Sequence, residues 1–132
     1  MLKRLTQGAA AVGVLVAVWT VFAPAVWMPD HPQVLTNVLV GEFAALALAH
    51  TVYRMASGRP PFLSVALAAA LFGALIAASP LVLGLVVGLT TSNMVSGTII
   101  AVAGVAAAVV SRGDVDDRGR SIDAADEAVE AV

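Results

Sequence analysis

The chain has 132 residues, 60% hydrophobic and 12% charged, with no cysteine and a formal net charge of −2. Soluble domains are roughly 45–50% apolar and about 25% charged, so this composition excludes one and points to an all-α, polytopic integral membrane protein. Without cysteine there is no disulfide, thiolate nucleophile or Cys-ligated metal, and His31 and His50 stand apart with no paired carboxylate to form a metal site.

Four apolar stretches follow, each near the roughly 20 residues that cross a hydrocarbon core of about 30 Å. The first covers about 7–26 and follows a basic Met-Leu-Lys-Arg start. That start resembles a signal peptide, but Pro24 directly follows the small residue Ala23 where cleavage would fall, so a retained helix is expected. Pro29, Asp30, His31 and Pro32 make the first turn. The second stretch covers about 35–53, and a polar connector holding Gly58 and Pro60 leads to the third at about 61–79. The interval from Pro80 to Thr91 stays apolar, which leaves open a kinked extension of the third helix or a short interfacial segment. The fourth stretch covers about 92–110.

Residues 1–111 therefore read as a four-helix transmembrane domain. Residues 112–132 read as an acidic, disordered tail, in which Ser121 caps at most a short helix with Ile122, Ala125, Val129 and Val132 on one face. The net charge splits accordingly, +2 over residues 1–111 and −4 over residues 112–132. All seven lysines and arginines (Lys3, Arg4, Arg54, Arg59, Arg112, Arg118 and Arg120) fall at one end of a four-span chain. The positive-inside rule then places both termini in the cytoplasm of a cell-membrane protein.

The chain's two asparagines share one frame. Pro24, Asn37 and Gly41 recur as Pro80, Asn93 and Gly97, all 56 residues on without a gap. Ala45 and Ala101 pair at the same offset, as do Ala47 and Ala103. The pattern reads as two tandem two-helix repeats, at about 5–57 and 61–113, related by an axis along the membrane normal. Pro24 and Pro80 are expected to end the first helix of each unit. Asn37, Gly41 and Ala45, like Asn93, Gly97 and Ala101, lie at steps of four along one helix face. Small residues so spaced allow close backbone approach and amide side chains bond across it, so the second and fourth helices are expected to pack together near the axis.

Ser79-Pro80-Leu81, with Gly84, Asn93 and Gly97 downstream, resembles the SPW-repeat family of small prokaryotic membrane proteins. Leu81 stands in place of that family's tryptophan, and the first unit has Ala23-Pro24-Ala25. The resemblance implies a two-helix repeat over about residues 10–110 and brings no activity.

Glu42, near the middle of the second span, is the candidate functional residue, since a carboxylate at that depth is costly and marks function by default. It reads either as a proton-coupling or cation-binding group, or as a carboxyl hydrogen-bonded to Asn93, Ser96 or Thr98 on a facing helix. Asn37 and Asn93 are candidates for a polar pair. His50 is expected near the basic interface beside Tyr53 and Arg54; Trp27 and Tyr53 read as interfacial anchors and Trp19 as a packing or lipid-facing residue. No catalytic triad, phosphate loop, cofactor site or nucleic-acid feature is present in the sequence. The expected role is structural or interactive, with the lipid bilayer and other copies in a homo-oligomer as partners and no substrate identifiable. A small proton- or cation-coupled transporter using Glu42 is the alternative.

Overall fold

The computed structural model describes residues 1–84 and 86–131. The helices are α1 (Leu2–Trp27), α2 (His31–Ala56), α3 (Leu63–Leu83) and α4 (Val87–Glu130), and each is long and apolar enough to cross a membrane. Such short connections force antiparallel neighbours. The result is the expected all-α membrane bundle. At about 1.5 Å per residue, the 21 residues of α3 span roughly 31 Å, one hydrocarbon thickness.

Pro24 and Pro80 do not end their helices as expected. Both lie inside, and the helices run on to Trp27 and Leu83. Proline removes one N–H and crowds one carbonyl, a local defect that a helix survives when another donor takes up that carbonyl. Each helix then closes on a left-handed residue, Met28 (φ 44°) or Gly84 (φ 60°), whose N–H bonds to the proline carbonyl one turn back. The undecided interval after Pro80 is thus shared between the end of α3, a tight turn at Gly84 and the first turn of α4.

The tail expected to be disordered is helical. The 44 residues of α4 run about 66 Å, and the part beyond Ser111 projects as an exposed helix up to Glu130. Helix nucleation is the costly step, and here the membrane span has already supplied it. No proline interrupts the extension, and Arg118 pairs with Asp114 at 2.9 Å in i,i+4 spacing. Ser121 does not cap; its hydroxyl bonds back to the Asp117 carbonyl in mid-helix. Asp114 also takes the Lys3 ammonium at 2.9 Å, which ties the start of α1 to α4.

The helices form a ring in chain order, closed by α4 against α1. α1 and α3 do not touch, and α2 meets α4 only across the centre. Inside are Ala10, Ala17, Ala44, Ala69 and Ala103, with few larger side chains, chiefly Leu48, Ile76 and Ile100. Leu15, Phe22, Leu46 and Val102 point outward. Small residues inside and bulky ones outside suit a lipid solvent, where close backbone contact rather than hydrophobic burial holds helices together.

The glycine faces of α2 and α4 do not meet each other as expected. Gly41 packs against Ala17 and Val21 of α1, and Gly97 against Gly73 and Ala77 of α3. These are corresponding positions at the 56-residue offset. A Cβ at Gly73, Gly97 or Gly104 would come under 3 Å from backbone atoms across the α3–α4 contact, whereas at Gly41 the nearest atom is the Val21 side chain. Gly97→Ala and Gly104→Ala should therefore each destabilise the bundle by about 1–3 kcal/mol, and Gly41→Ala by less. Unfolding in mixed micelles would measure the difference.

The Asp114 carboxyl sits below the usual carboxylate range, first because it accepts a hydrogen bond from Lys3 and further because Arg118 adds positive charge. A depressed folded-state value means that the tie is fully present above the ordinary value of 3.8 and is lost as pH falls through the lower one. Hydrogen exchange in the second turn of α1, relative to the intrinsic rate at each pH, should hence stay slow on moderate acidification and quicken only as pH falls below 3.8. Asp114→Asn should show the faster exchange at neutral pH.

Candidate functional site

The interior of the bundle's turn-rich half, at the level of the first two turns of α2 and α4, holds a layer of buried polar groups. It begins with the prolines. Pro24 has no N–H to offer the carbonyl of Thr20, four residues back, and Pro80 none for that of Ile76. An unsatisfied carbonyl in hydrocarbon costs several kcal/mol. The Thr20 carbonyl is met by Asn37 Nδ2 at 3.2 Å. That of Ile76 is met by the Ser79 hydroxyl at 2.8 Å, and this hydroxyl accepts from Asn93 Nδ2 at 3.0 Å. The hydroxyl is an inserted link. In the first hairpin, where Ala23 stands at the corresponding place, the amide reaches the carbonyl directly.

The two asparagines then bond to each other. Asn37 Nδ2 donates to Asn93 Oδ1 and Asn93 Nδ2 to Asn37 Oδ1, both at 2.9 Å. Both residues are fully buried. All four amide hydrogens of the pair are accounted for. This pairing is where α2 and α4 touch across the ring. The glycine one turn on from each asparagine lets α2 lie against α1, and α4 against α3, closely enough for Asn37 to reach the Thr20 carbonyl and Asn93 the Ser79 hydroxyl.

Sequence reasoning singled out Asn37 and Asn93 but missed their partners Thr20, Ser79 and Gln33. Gln33 Nε2 donates to Asn37 Oδ1, and its own Oε1 is buried without a partner among the described residues, as is Ser96 Oγ. The signal for Gln33 was its place four residues before Asn37, on the same helix face. Thr20 gave none, since it contributes only its backbone carbonyl; Ser79 stood out only as part of the Ser79-Pro80 pair and not as a partner of Asn93.

Glu42 is not part of this layer. It is exposed on the outside of α2, in a groove between α1 and α2 with Val18, Val21, Phe22 and Leu46, and has no hydrogen bond or ion pair among the described residues. None of the partners expected for it is near: Asn93 is paired with Asn37, and Thr98 is exposed and bonds to the Met94 carbonyl. The cause is rotation. Gly41 faces α1, and one residue on a helix turns about 100°, which carries Glu42 outward. Ala45 lines the same groove as Glu42, while Ala101 lies on the Gly73 side of α4.

At the basic end His50 stacks on Phe62 with centroids 5.7 Å apart, and the Arg54 guanidinium lies 3.6 Å from the same ring. At the other end Trp27 meets Trp19 edge to face and packs on Gly88, and Trp19 Nε1 donates to the Ser92 hydroxyl at 3.0 Å. Among the described residues no group of His, Asp and Glu is placed to hold a metal ion. The four amide hydrogens of Asn37 and Asn93 are consumed internally, so the pair acts as a clasp between the two hairpins.

The clasp makes a specific genetic prediction. Asn37→Ala strands the Thr20 carbonyl and half of Asn93, and should cost about 1–3 kcal/mol. Pro24→Ala restores an N–H for that carbonyl, so the double variant should be more stable than Asn37→Ala alone. Ser79→Ala should cost less than Asn93→Ala, because Asn93 can then bond the Ile76 carbonyl as Asn37 bonds Thr20. Reversible unfolding of the four variants in mixed micelles tests the scheme, and a double variant less stable than Asn37→Ala would contradict it.

No protein-family pattern, curated protein or solved structure is found to match this chain.

Proposed function

We propose that the protein is a non-enzymatic membrane component that works by assembling with other membrane chains, in the first place with copies of itself. The observation that carries this reading is the outward-facing Glu42. A carboxylate at the middle of a span costs about 2.5–3.5 kcal/mol on insertion scales, and contact with a polar group of a neighbouring chain would offset that. Thr98 offers such a group. Glu42 and Thr98 both lie eleven residues past the starts of their helices, at His31 and Val87, hence at one membrane depth, and both are exposed. Glu42 of one copy can thus meet Thr98 of the next in a head-to-tail array.

Three further points belong to the same reading. The basic end faces the cytoplasm, supported by the positions of all seven lysines and arginines. The two hairpins arose by tandem duplication, supported by the matching of Pro24, Asn37 and Gly41 with Pro80, Asn93 and Gly97. The likeness to the SPW-repeat family rests on Ser79, Pro80, Gly84, Asn93 and Gly97. The transporter alternative has less support. The interior is filled by Ala17, Ala44, Leu48, Ile76 and Ile100, and Glu42 faces away from it. Ion coupling through Glu42 would have to run between chains.

Glu42→Leu should weaken self-association by about tenfold, as expected for loss of one interhelical hydrogen bond of 1–2 kcal/mol, while Glu42→Gln should retain most of it. Single-molecule photobleaching in vesicles at graded protein-to-lipid ratios reads this out. A wild-type chain that stays monomeric at every ratio would refute the assembly reading. Ion flux that is lost in Glu42→Gln would favour the transporter.

A further inference from the structure

The basic end carries a pocket that the amide layer and Glu42 leave unexplained. It holds about 230 Å³ and lies where the start of α1, the end of α2, the connector to α3 and residue 110 of α4 converge. Lys3, Arg4 and Arg59 line it together with the Gln7 amide, and Met55 and Val110 form its apolar side. We propose that this pocket binds the headgroup of an anionic phospholipid, with its phosphodiester between Arg4 and Arg59.

The cations differ in what they are free to do. Lys3 is held by Asp114, and Arg54 is spent on the connector, its Nε donating to the Pro60 carbonyl at 2.8 Å while its guanidinium covers Phe62. Arg4 and Arg59 have no carboxylate within 4 Å among the described residues. Arg59 is also held in place from behind. Its N–H bonds to the Arg54 carbonyl at 2.9 Å, and Gly58 before it takes the left-handed conformation (φ 70°) that turns the chain out of α2. The connector thereby fixes the backbone from which one guanidinium extends. Its fork matches two phosphate oxygens, which a point charge does not.

The position selects the ligand. Basic pockets between membrane helices at the level of the headgroups meet phosphate that is already concentrated there by the bilayer. The apolar side formed by Met55 and Val110 suits the glycerol and first acyl carbons and gives nothing to a free anion. A lipid headgroup therefore fits both halves of the pocket.

The test uses the full chain in dodecyl maltoside, with lipid retention read by native mass spectrometry. Dioleoyl phosphatidylglycerol should be retained in preference to dioleoyl phosphatidylcholine by about tenfold, and Arg4→Gln/Arg59→Gln should abolish the preference. Arg112→Gln/Arg120→Gln, which removes the same charge outside the pocket, should keep it. A photo-crosslinking residue at Gln7 in the otherwise unaltered chain should capture phosphatidylglycerol and not phosphatidylcholine, a readout that stands even if the double variant fails to fold. Equal retention of the two lipids overturns the proposal. So does equal loss in both double variants, which would mean diffuse charge attraction, or protection against heat by inorganic phosphate equal to that by the lipid, which would mean a site for a solution anion.

Discussion

A carbonyl oxygen without a donor cannot be left facing hydrocarbon, and two prolines create that problem at corresponding places in this bundle. Pro24 releases the Thr20 carbonyl and Pro80 that of Ile76, each inside the ring rather than on its lipid face. Water is not at hand to repair the loss. In the first hairpin the repair comes from Asn37 on the following helix; in the second it comes from the Ser79 hydroxyl on the same helix, which in turn accepts from Asn93. An asparagine amide offers two hydrogens and an oxygen, so after donating to the Thr20 carbonyl or to the Ser79 hydroxyl each one can also bind the other. One defect in each hairpin thus becomes the contact that joins the two hairpins.

Close approach is the condition for that contact. The short reach of an asparagine side chain demands that α2 lie almost on α1, and α4 on α3. Gly41 meets this on one side; Gly73, Gly97 and Gly104 meet it on the other with less room to spare. The alanine-rich interior follows from the same demand, because larger side chains would hold the backbones apart. The bulk of the molecule is displaced outward as Leu15, Phe22, Leu46 and Val102, where lipid accepts it without penalty.

The number of spans, their antiparallel order and the gathering of cations at one end were legible because each depends on runs of residues. The Pro–Asn–Gly spacing was legible as a pattern, but its meaning was not. Reading Pro24 as a helix stop missed that the chain runs on to Trp27, since a stop and a defect repaired from another helix look alike in one dimension. Glu42 and Gly41 are neighbours in sequence and point to different media, because helix rotation is set by the neighbours a helix finds. The extension after Ser111 was misread for a related reason: its composition suits disorder in isolation, but it is attached to a helix already formed and tethered through Lys3.

The carbonyl released in each hairpin is taken up within that hairpin, by Asn37 in the first and by Ser79 in the second, and this bears on how the chain enters the membrane. Thr20 and Asn37 are both present once α2 has been made, before any of α3 exists. The first hairpin can therefore leave the insertion machinery with its proline defect already repaired, and the second can do the same with Ser79 and Asn93. Only the amide-to-amide bonds wait for the two to meet. Assembly in two finished halves would keep a stranded carbonyl from facing lipid while the rest of the chain is still being synthesised.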